Sequence, residues 1–512
     1  MAGSSASAAV KAVADLSQIR FPARQPAGLT ADFCRRHRVV FAQLGKSEQS
    51  VLLHSEAATP SVLDLLLTTL PESPRPVIVD DTLLEEAIET AFRVTGGVLD
   101  ELTLDPGEGK SAAEDVLAAP ASAPAARLLS ALIVEAINRK ASDLHLQPQE
   151  GAVDVRLRID GILHRLASVP FELYQGLVSR TKILAGLDIS EKHHPQDGGT
   201  RLRIGRNEIE LRVSVVPARH GERIAIRLQD RSRHLLKLED LGMYSDDMER
   251  MDLLLRAPHG ILLVTGPTGS GKTTTLYAAL GKLNSHERNI FTIEDPVEYH
   301  LPGISQIEVG ENRPFGFAEA LRSILRQDPN IIMVGEIRDG ETASIAVRAA
   351  LTGHLVLSTL HTNDSVSAVT RLIDIGVPDY LIRSGLLGVL AQRLVRKLCD
   401  SCAKESMPAS EDLAVFPEPL NASWAKPGRC AGGCSSCGNT GYSGRIGVYE
   451  VLVADERFKE AIHPDTSLAV LRDHARRGGM HTLLEDGMRK AQDGLTDLEE
   501  VKRVLLAEVE AL

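Results

Sequence analysis

The fold of this chain is decided by the stretch Ile261-Leu-Leu-Val-Thr-Gly-Pro-Thr-Gly-Ser-Gly-Lys-Thr-Thr-Thr-Leu276. An apolar run ends at Gly266, and the following residues fit the pattern G-x-x-x-x-G-K-[ST], whose glycines let backbone N–H groups close around a phosphate chain. We expect Lys272 to reach the β- and γ-phosphates of a nucleotide and the Thr273 hydroxyl to hold Mg²⁺. A chance glycine-rich turn is the alternative, and the strand-like run before it and the helix-forming run after it oppose that interpretation. The predicted loop comprises Gly266, Pro267, Thr268, Gly269, Ser270, Gly271, Lys272 and Thr273.

The composition is typical of a multidomain globular protein. A length of 512 residues suggests about three or four domains. The formal charge of −12 argues against a protein built mainly to neutralise a nucleic-acid backbone, so no nucleic-acid partner is expected. The first residues lack the pattern of a signal peptide, and no apolar run is long enough to span a bilayer. We therefore expect a cytoplasmic protein without a transmembrane segment, which reaches any membrane through a partner.

The first part of the chain is predicted to be a docking domain followed by a linker. Residues 1–104 mix helix-like and strand-like segments and contain no catalytic constellation. Cys34 in this domain is expected to be a buried apolar residue and not a reactive thiol. Residues 105–126 are rich in Gly, Pro, Ala and Ser, which is typical of a linker.

Residues 127–235 are predicted to form an α+β domain with arginine-rich strands. Alternation of apolar and polar residues with a period of two indicates half-exposed sheets. Most of the arginines are expected to lie on a solvated sheet face. The alternative is that a few of them project toward a nucleotide held elsewhere, because this domain has no phosphate loop. The arginines are Arg156, Arg158, Arg201, Arg203, Arg206, Arg212, Arg219, Arg223 and Arg227.

Residues 243–395 alternate between strand-like and helix-like segments. Three of the four predicted strands (261–265, 290–293, 330–334 and 355–359) are nearly continuous apolar runs. Such runs are typical of parallel strands that are buried on both faces. The sequence therefore predicts an α/β core that carries the phosphate loop.

Acidic residues follow two of these strands. Glu294, Asp295 and Glu298 come at the end of one, and Glu336 follows another after a single glycine. Because the carboxyl ends of parallel strands face the ligand crevice, these acids should lie near the γ-phosphate. Glu294 is our first choice for orienting the attacking water, and Glu336 for binding Mg²⁺ or its water. Asp295 and Glu298 are alternatively an acidic helix N-terminus.

Two histidines bracket the last predicted core strand. His354 precedes it and His361 follows it. A lone histidine is usually structural, but the position of His361 makes it a candidate sensor of the γ-phosphate.

Five of the six cysteines are clustered near the C-terminus. Cys399-Asp-Ser-Cys402 and Cys434-Ser-Ser-Cys437 are two C-x-x-C pairs, a spacing typical of four thiolates that hold Zn²⁺ tetrahedrally. A site closed by four thiolates is structural, so we predict a zinc-binding subdomain over residues 396–449. Cys430 is a fifth candidate without the knuckle spacing. Residues 450–512 are predicted to be helical.

With these residues in place, the chain resembles the secretion ATPase family that powers type II secretion and type IV pilus assembly. The resemblance covers about residues 127–512. Asn330 stands where relatives often carry Asp, and Cys430 departs from the family pattern. The motifs that carry the resemblance are the phosphate loop, Ala141-Ser-Asp-Leu-His-Leu, Arg156-Leu-Arg-Ile-Asp-Gly161, Ile293-Glu-Asp-Pro-Val-Glu298, Gly335-Glu-Ile-Arg-Asp339, the segment from Thr352 to Thr362 and the four-cysteine knuckle.

The resemblance implies a fold and a mechanism. It implies a RecA-like core, a PAS-like domain before it, and a homo-hexameric ring with nucleotide between the two larger domains. Arg212 and Arg227 would then reach the phosphates as catalytic groups, and Arg322 and Arg326 would approach from the core. ATP hydrolysis with Mg²⁺ would drive pseudopilus assembly for type II secretion. Residues 1–104 would bind an inner-membrane protein, so that the ring lies peripherally on the cytoplasmic face of that membrane.

Three alternatives stay open from the sequence. Assembly of type IV pili would use the same chemistry with another partner. The zinc knuckle fits an assembly motor and not a retraction motor, because pilus retraction motors typically lack it. A nucleic-acid motor would also combine a phosphate loop with zinc, but the acidic charge argues against it. A nucleotide-binding scaffold without turnover is the last.

Overall fold

The computed structural model divides the chain into two compact units, Met1–Ser232 and Arg233–Leu512. The finer division into six segments remains a prediction. The structure describes residues 19–21, 29, 34–35, 37–44, 49–69, 74–93, 124–204, 207–230, 236–310, 315–418, 420, 424 and 427–506.

The first unit begins with a small four-stranded sheet. Its strands lie in chain order, β1 (Ile19–Arg20), β2 (Val39–Leu44), β3 (Gln49–His54) and β4 (Arg75–Ile78). Helix α1 (Pro60–Thr69) crosses between the parallel strands β3 and β4, and α2 (Asp81–Arg93) packs against β2. Cys34 is fully buried in the apolar core here, and burial raises the pKa of its thiol to about 12. This burial agrees with the apolar role predicted for Cys34.

A six-stranded antiparallel sheet completes the first unit. Its spatial order is β7-β6-β5-β10-β9-β8, and helices α3 (Pro124–Asn138) and α4 (Phe171–Leu184) share one core with it. Residues 94–123, which include most of the predicted linker, lie outside the described residues, and α3 begins within the last three linker positions. The strands are β5 (Asp143–Pro148), β6 (Ala152–Ile159), β7 (Ile162–Pro170), β8 (Gln196–Ile204), β9 (Asn207–Ala218) and β10 (Gly221–Asp230).

The second unit is built on a seven-stranded sheet of order β13-β12-β14-β15-β11-β16-β19. Its first six strands are parallel and β19 is antiparallel to β16. Strands β11 and β15 are buried along their whole length, as their apolar runs predict. The strands are β11 (Gly260–Thr265), β12 (Ile290–Glu294), β13 (Ser305–Glu308), β14 (Ile331–Val334), β15 (Leu355–Leu360), β16 (Leu386–Leu398) and β19 (Tyr442–Val453); β17 (Lys404–Ser406) and β18 (Gly428–Cys430) form a separate ribbon.

Helices cover both faces of this sheet. Alternate residues of β11 enter two cores, with Leu262 packing toward α5 (Ser245–Leu255) and α6 (Lys272–Leu283), and Leu263 packing on the opposite face. The opposite face carries α7 (Phe317–Ile324), α8 (Gly340–Leu351), α9 (Ser365–Asp374), α10 (Asp379–Gly385), α12 (Glu456–Glu460) and α13 (Leu468–Arg477). The other described helices are the 3₁₀ turns Leu238–Leu241 and Ser435–Cys437, α11 (Ser410–Ala414), α14 (Leu483–Gln492) and α15 (Leu498–Val501), which continues as a π-helical turn over Lys502–Leu506.

The doubly covered parallel sheet confirms the α/β core. In such a sheet the carboxyl ends of the strands form one edge, where ligands bind. Among the described residues, no helix has both the length and the apolar character needed to cross a membrane.

Candidate functional site

The predicted phosphate loop joins β11 to α6 at the carboxyl edge of the sheet. Gly266, Gly269 and Gly271 have φ angles of 146°, 80° and 89°, and α6 begins at Lys272. A Cβ atom at Gly266 would lie only 2.5 Å from the carbonyl oxygen of Gln392. Glycine is therefore required at the start of the loop both for its backbone angle and for this close approach.

Lys272 is folded inside the curve of the loop. Its Nζ donates to the carbonyl oxygens of Gly266 at 2.7 Å and Pro267 at 3.1 Å. Burial lowers the pKa of Lys272 to about 8, and the charge of Glu336 opposes this shift. The loop lysine and Glu336 are thus electrostatic neighbours.

The segment that follows β15 is hydrogen-bonded to Thr265, the residue before the loop. The Thr265 hydroxyl lies 2.7 Å from the Thr362 hydroxyl and accepts a hydrogen bond from the Thr362 N–H at 2.9 Å. This contact places His361, the first residue after β15, at the same edge as the loop.

Glu336 lies just beyond β14 in a segment that is bonded to β15. The Thr359 hydroxyl donates to the Gly335 carbonyl at 2.7 Å, and the Ile337 N–H donates to the Thr359 carbonyl at 3.0 Å. These bonds bracket Glu336 and bring one carboxylate oxygen within 3.3 Å of His361 Nε2.

Arg338 holds the other oxygen of Glu336. Its Nη2 lies 2.5 Å from Glu336 Oε1 and 3.8 Å from Asp295 Oδ2. Burial raises the pKa of Glu336, but the hydrogen bonds and charges of Arg338 and His361 outweigh burial and leave the pKa below its usual value. The carboxylate is ionised and 22% exposed, so it is open to a ligand at this edge.

Glu294 lies in a different environment from Glu336. Its side chain is 3% exposed, Oε1 accepts from the Thr292 hydroxyl at 2.6 Å and from Gln306 Nε2 at 3.1 Å, and Oε2 accepts from the Tyr277 hydroxyl. Even-numbered residues of β12 face α6, so Glu294 turns toward Tyr277 of that helix. The structure therefore separates the two acids that the sequence placed together, and the role of Glu294 toward water stays a prediction.

His354 has a structural contact. Its Nδ1 lies 2.9 Å from the carbonyl oxygen of Ala349 at the end of α8. The structural interpretation of a lone histidine therefore describes His354, whereas His361 faces an acid.

The predicted core arginines lie on α7 and just beyond it. Arg322 pairs with Glu341 of α8, and Arg326 donates to the Arg322 carbonyl at 3.0 Å. Neither of these contacts joins an arginine to the phosphate loop, so their approach to nucleotide stays a prediction.

Arg212 and Arg227 are direct partners on the neighbouring strands β9 and β10 of the first unit. Arg227 Nε lies 3.3 Å from Asp143 Oδ1, and Arg158 Nε lies 3.7 Å from the other oxygen of that acid. These arginines belong to a different unit from the phosphate loop, so their catalytic role stays a prediction.

The four cysteines of the two C-x-x-C pairs come together. Their sulfur atoms lie within 4.8 Å of one another, with separations of 3.9 Å for Cys399–Cys434, 3.8 Å for Cys402–Cys437 and 3.7 Å for Cys434–Cys437. Sulfurs at the corners of a tetrahedron around a metal 2.3 Å away would be about 3.8 Å apart. The cluster can therefore hold a metal ion.

Backbone N–H groups also favour the thiolate form of Cys437 in this cluster. Burial raises the pKa of Cys437, but the N–H groups of Cys434 (3.4 Å) and Gly441 (3.2 Å) outweigh it and bring the pKa to about 6. The thiolate is the form that binds a metal.

The sequence missed two residues that shape the site. Arg338, which holds Glu336, is part of the motif Gly335-Glu-Ile-Arg-Asp339, and its signal was a positive charge two residues after the acid. Gln392 contacts the phosphate loop, and its signal was a polar pair, Gln392-Arg393, inside the apolar strand β16.

Comparison with known proteins assigns the family. The sequence model of the family "Type II/IV secretion system protein" matches residues 118–503. The type II secretion system protein HxcR of Pseudomonas aeruginosa is 49% identical over 428 residues, which cover 83% of this chain and 87% of that protein. The type II secretion system ATPase E of Vibrio cholerae is 47% identical over 395 residues, which cover 76% of this chain and 77% of that protein.

A solved structure supports the fold. The ATPase DotB of Legionella pneumophila has a TM-score of 0.55 and 22% identity, and the match covers 80% of this chain and 99% of that structure. With the phosphate loop and the ionised Glu336 at one sheet edge, these matches confirm the predicted family and ATP-hydrolysing activity. The chain therefore belongs to the type II/IV secretion system protein family, as one of its ATPases.

Proposed function

We propose that this ATPase is the motor of a type II secretion system, and that it uses ATP hydrolysis to drive pseudopilus assembly. The observation that carries the proposal is the Glu336 carboxylate at the carboxyl edge of the sheet, where His361 and Arg338 bond it and where its charge acts on Lys272 of the phosphate loop. A site of this kind stabilises charge on a transferring phosphoryl group, which is the main demand of phosphoryl transfer.

The residues of the loop and of the sheet edge bind the phosphates and Mg²⁺. Backbone N–H groups of the loop and the Lys272 ammonium bind the β- and γ-phosphates, and to do so Lys272 exchanges its two carbonyl partners for phosphate oxygens. The Thr273 hydroxyl is exposed at the start of α6, and Glu336 adds an ionised carboxylate. These hard oxygen donors fit Mg²⁺, which when bound neutralises charge on the phosphates.

Water activation is assigned to an acid at the sheet edge. Glu294 takes this role if the Tyr277 hydroxyl releases its carboxylate. His361, which contacts Glu336, is the sensor of the γ-phosphate. Arginines supply further positive charge to the phosphates. They are Arg212 and Arg227 from the first unit and Arg322 and Arg326 from the core. The protein acts as a homo-hexameric ring, which brings separate bodies to each nucleotide.

A structural zinc site and a membrane-docking domain complete the proposal. The four-cysteine cluster binds Zn²⁺ as a structural ion, because its sulfur separations match tetrahedral zinc and four thiolates leave no open position. Residues 1–104 bind an inner-membrane protein of the secretion system, which keeps the ring peripheral on the cytoplasmic face.

The test combines chemistry with a cellular phenotype. The purified full-length chain should release phosphate from ATP in the presence of Mg²⁺, and Lys272→Ala should not. Deletion of the gene from its own organism should stop protein export while surface pili persist. Loss of pili with normal export would favour the type IV pilus alternative, and salt-sensitive DNA binding by the pure chain would favour a nucleic-acid motor.

A further inference from the structure

Strand β16 carries a buried glutamine directly beside the phosphate loop. In the register of the sheet, Leu390 and Ala391 of β16 lie opposite Val264 and Thr265 of β11. Gln392 is therefore level with the start of the loop, and its side chain is 1% exposed. Both ends of its side-chain amide have partners in the loop or in the helix that follows it.

The amide of Gln392 bridges the loop and the first turn of α6. Its Nε2 donates to the Ser270 carbonyl at 2.7 Å, and its Oε1 accepts from the Thr275 hydroxyl at 2.8 Å. The backbone is equally close, because a Cβ atom at Gly266 would meet the Gln392 carbonyl at 2.5 Å and one at Gly271 would meet Nε2 at 3.1 Å. One residue thus touches the start of the loop, its end and its helix.

The bond to Ser270 fixes the direction of a phosphate donor. In a trans peptide the C=O and the next N–H point in opposite directions. Because the Ser270 carbonyl is held toward β16, the N–H of Gly271 must point away from β16, toward the inside of the loop. Backbone N–H groups that point inward are what lets such a loop bind phosphate.

We propose that Gln392 is a positioning residue for nucleotide, which orients the phosphate-binding peptides of the loop without contacting the nucleotide itself. The inference rests on the proposed function, in which this loop holds ATP. It adds a determinant of affinity that lies 122 residues from its partner Ser270 in the sequence. The competing interpretation is that Gln392 is an ordinary buried amide that only stabilises the fold.

Two substitutions separate these interpretations. Gln392→Met keeps the length of the side chain and removes both hydrogen bonds, and it should raise the Kd for a fluorescent ADP analogue about tenfold. Gln392→Glu places an oxygen without a proton against the Ser270 carbonyl, so its Kd should rise further and should recover partly toward pH 5, where the carboxyl becomes protonated. Val395→Ala, a buried core change on the same strand, is the control that lowers Tm without a change in Kd.

The outcomes are distinct. Variants of Gln392 with wild-type Kd, whatever their Tm, would overturn the inference and leave the proposed function standing. A wild-type chain that binds no nucleotide would overturn both. If Gln392→Met does not fold, Thr275→Val removes one of the two bonds with little change in shape, and a two- to threefold rise in Kd is expected, whereas an unchanged Kd would count against the inference.

Discussion

His361 Nε2 lies 3.3 Å from Oε2 of Glu336, and this contact joins the ends of two neighbouring strands, β14 and β15. The strands are parallel, so their carboxyl ends deliver both side chains to one edge of the sheet. The charge and hydrogen bonds of His361 and Arg338 keep the pKa of Glu336 low despite its partial burial. Glu336 is therefore an ionised acid at the same edge of the sheet as the phosphate loop.

Glu336→Gln should abolish turnover and spare binding. The amide keeps the size of the side chain but removes the charge that holds Mg²⁺ or its water, so phosphate release should fall about 100-fold or more. Glu319→Gln, on the exposed side of α7, is the matched control and should keep the wild-type rate. A Glu336→Gln rate within about twofold of wild type would contradict the assignment.

His361 and His354 should differ in what their loss affects. His361→Gln weakens the hold on Glu336, so we expect kcat to fall about tenfold with little change in Tm. His354→Gln loses the 2.9 Å contact with the Ala349 carbonyl, so Tm should fall by the equivalent of about 1 kcal/mol with kcat nearly unchanged. Steady-state kinetics and thermal unfolding of both variants check this, and the reverse pattern would be evidence against it.

Substitutions at Glu294 and at its hydrogen-bond partner Tyr277 distinguish a catalytic role of Glu294 from a structural one. Tyr277→Phe leaves a buried carboxylate oxygen without its donor and should cost about 1–3 kcal/mol of stability while turnover persists. Glu294→Gln should abolish turnover if this acid orients the water. If Glu294→Gln lowers Tm and leaves the rate within a few-fold of wild type, Glu294 is structural and Glu336 is the main acid of the site.

The metal cluster predicts a stoichiometry and a stability change. The pure chain should contain about one zinc ion, as four thiolates per ion require. Cys437→Ser should lose the zinc and lower Tm, because metal binding contributes directly to folding. Cys430→Ser is the control, since Cys430 lies outside the cluster of four thiols, and its metal content by elemental analysis should match wild type. Loss of zinc in Cys430→Ser would mean that the fifth cysteine is a ligand.

Asp247 on α5 predicts a pH dependence of stability. Burial first, then the charges of Asp486 and Asp246, raise its pKa to about 6, although Arg250 and His481 oppose the shift. A raised pKa stabilises the fold at low pH, and this contribution is lost as pH rises from about 4 through about 6. Asp247→Asn should therefore be more stable than wild type at pH 8, by up to about 3 kcal/mol, and similar to it at pH 4.

The neighbouring Asp246 should show the opposite sign. Burial raises the pKa of Asp246, but its hydrogen bond and ion pair with Arg489 lower it overall, so its ionised form supports the fold at neutral pH. Asp246→Asn should lower Tm at pH 8 and have less effect at pH 4. Thermal unfolding of both variants at the two pH values is the measurement, and equal effects at the two values would contradict the assigned shifts.

The amino-acid sequence alone encodes the features that are local in the chain. The phosphate loop, the two C-x-x-C pairs and the apolar strands β11 and β15 are encoded by consecutive residues, because glycine angles, thiolate spacing and burial on both faces each leave a short-range pattern. The position of acids after strands was local as well. Family, activity and core fold followed from these patterns.

Packing between distant parts of the chain sets which of these side chains meet. The pleat of β12 turns Glu294 toward Tyr277, while Glu336, beyond the end of β14, stays accessible between Arg338 and His361. The support of the phosphate loop comes from Gln392, more than a hundred residues away along the chain. Strand alternation fixes which face a residue takes, but only the packed neighbour on that face determines whether a buried polar group is satisfied or left for chemistry.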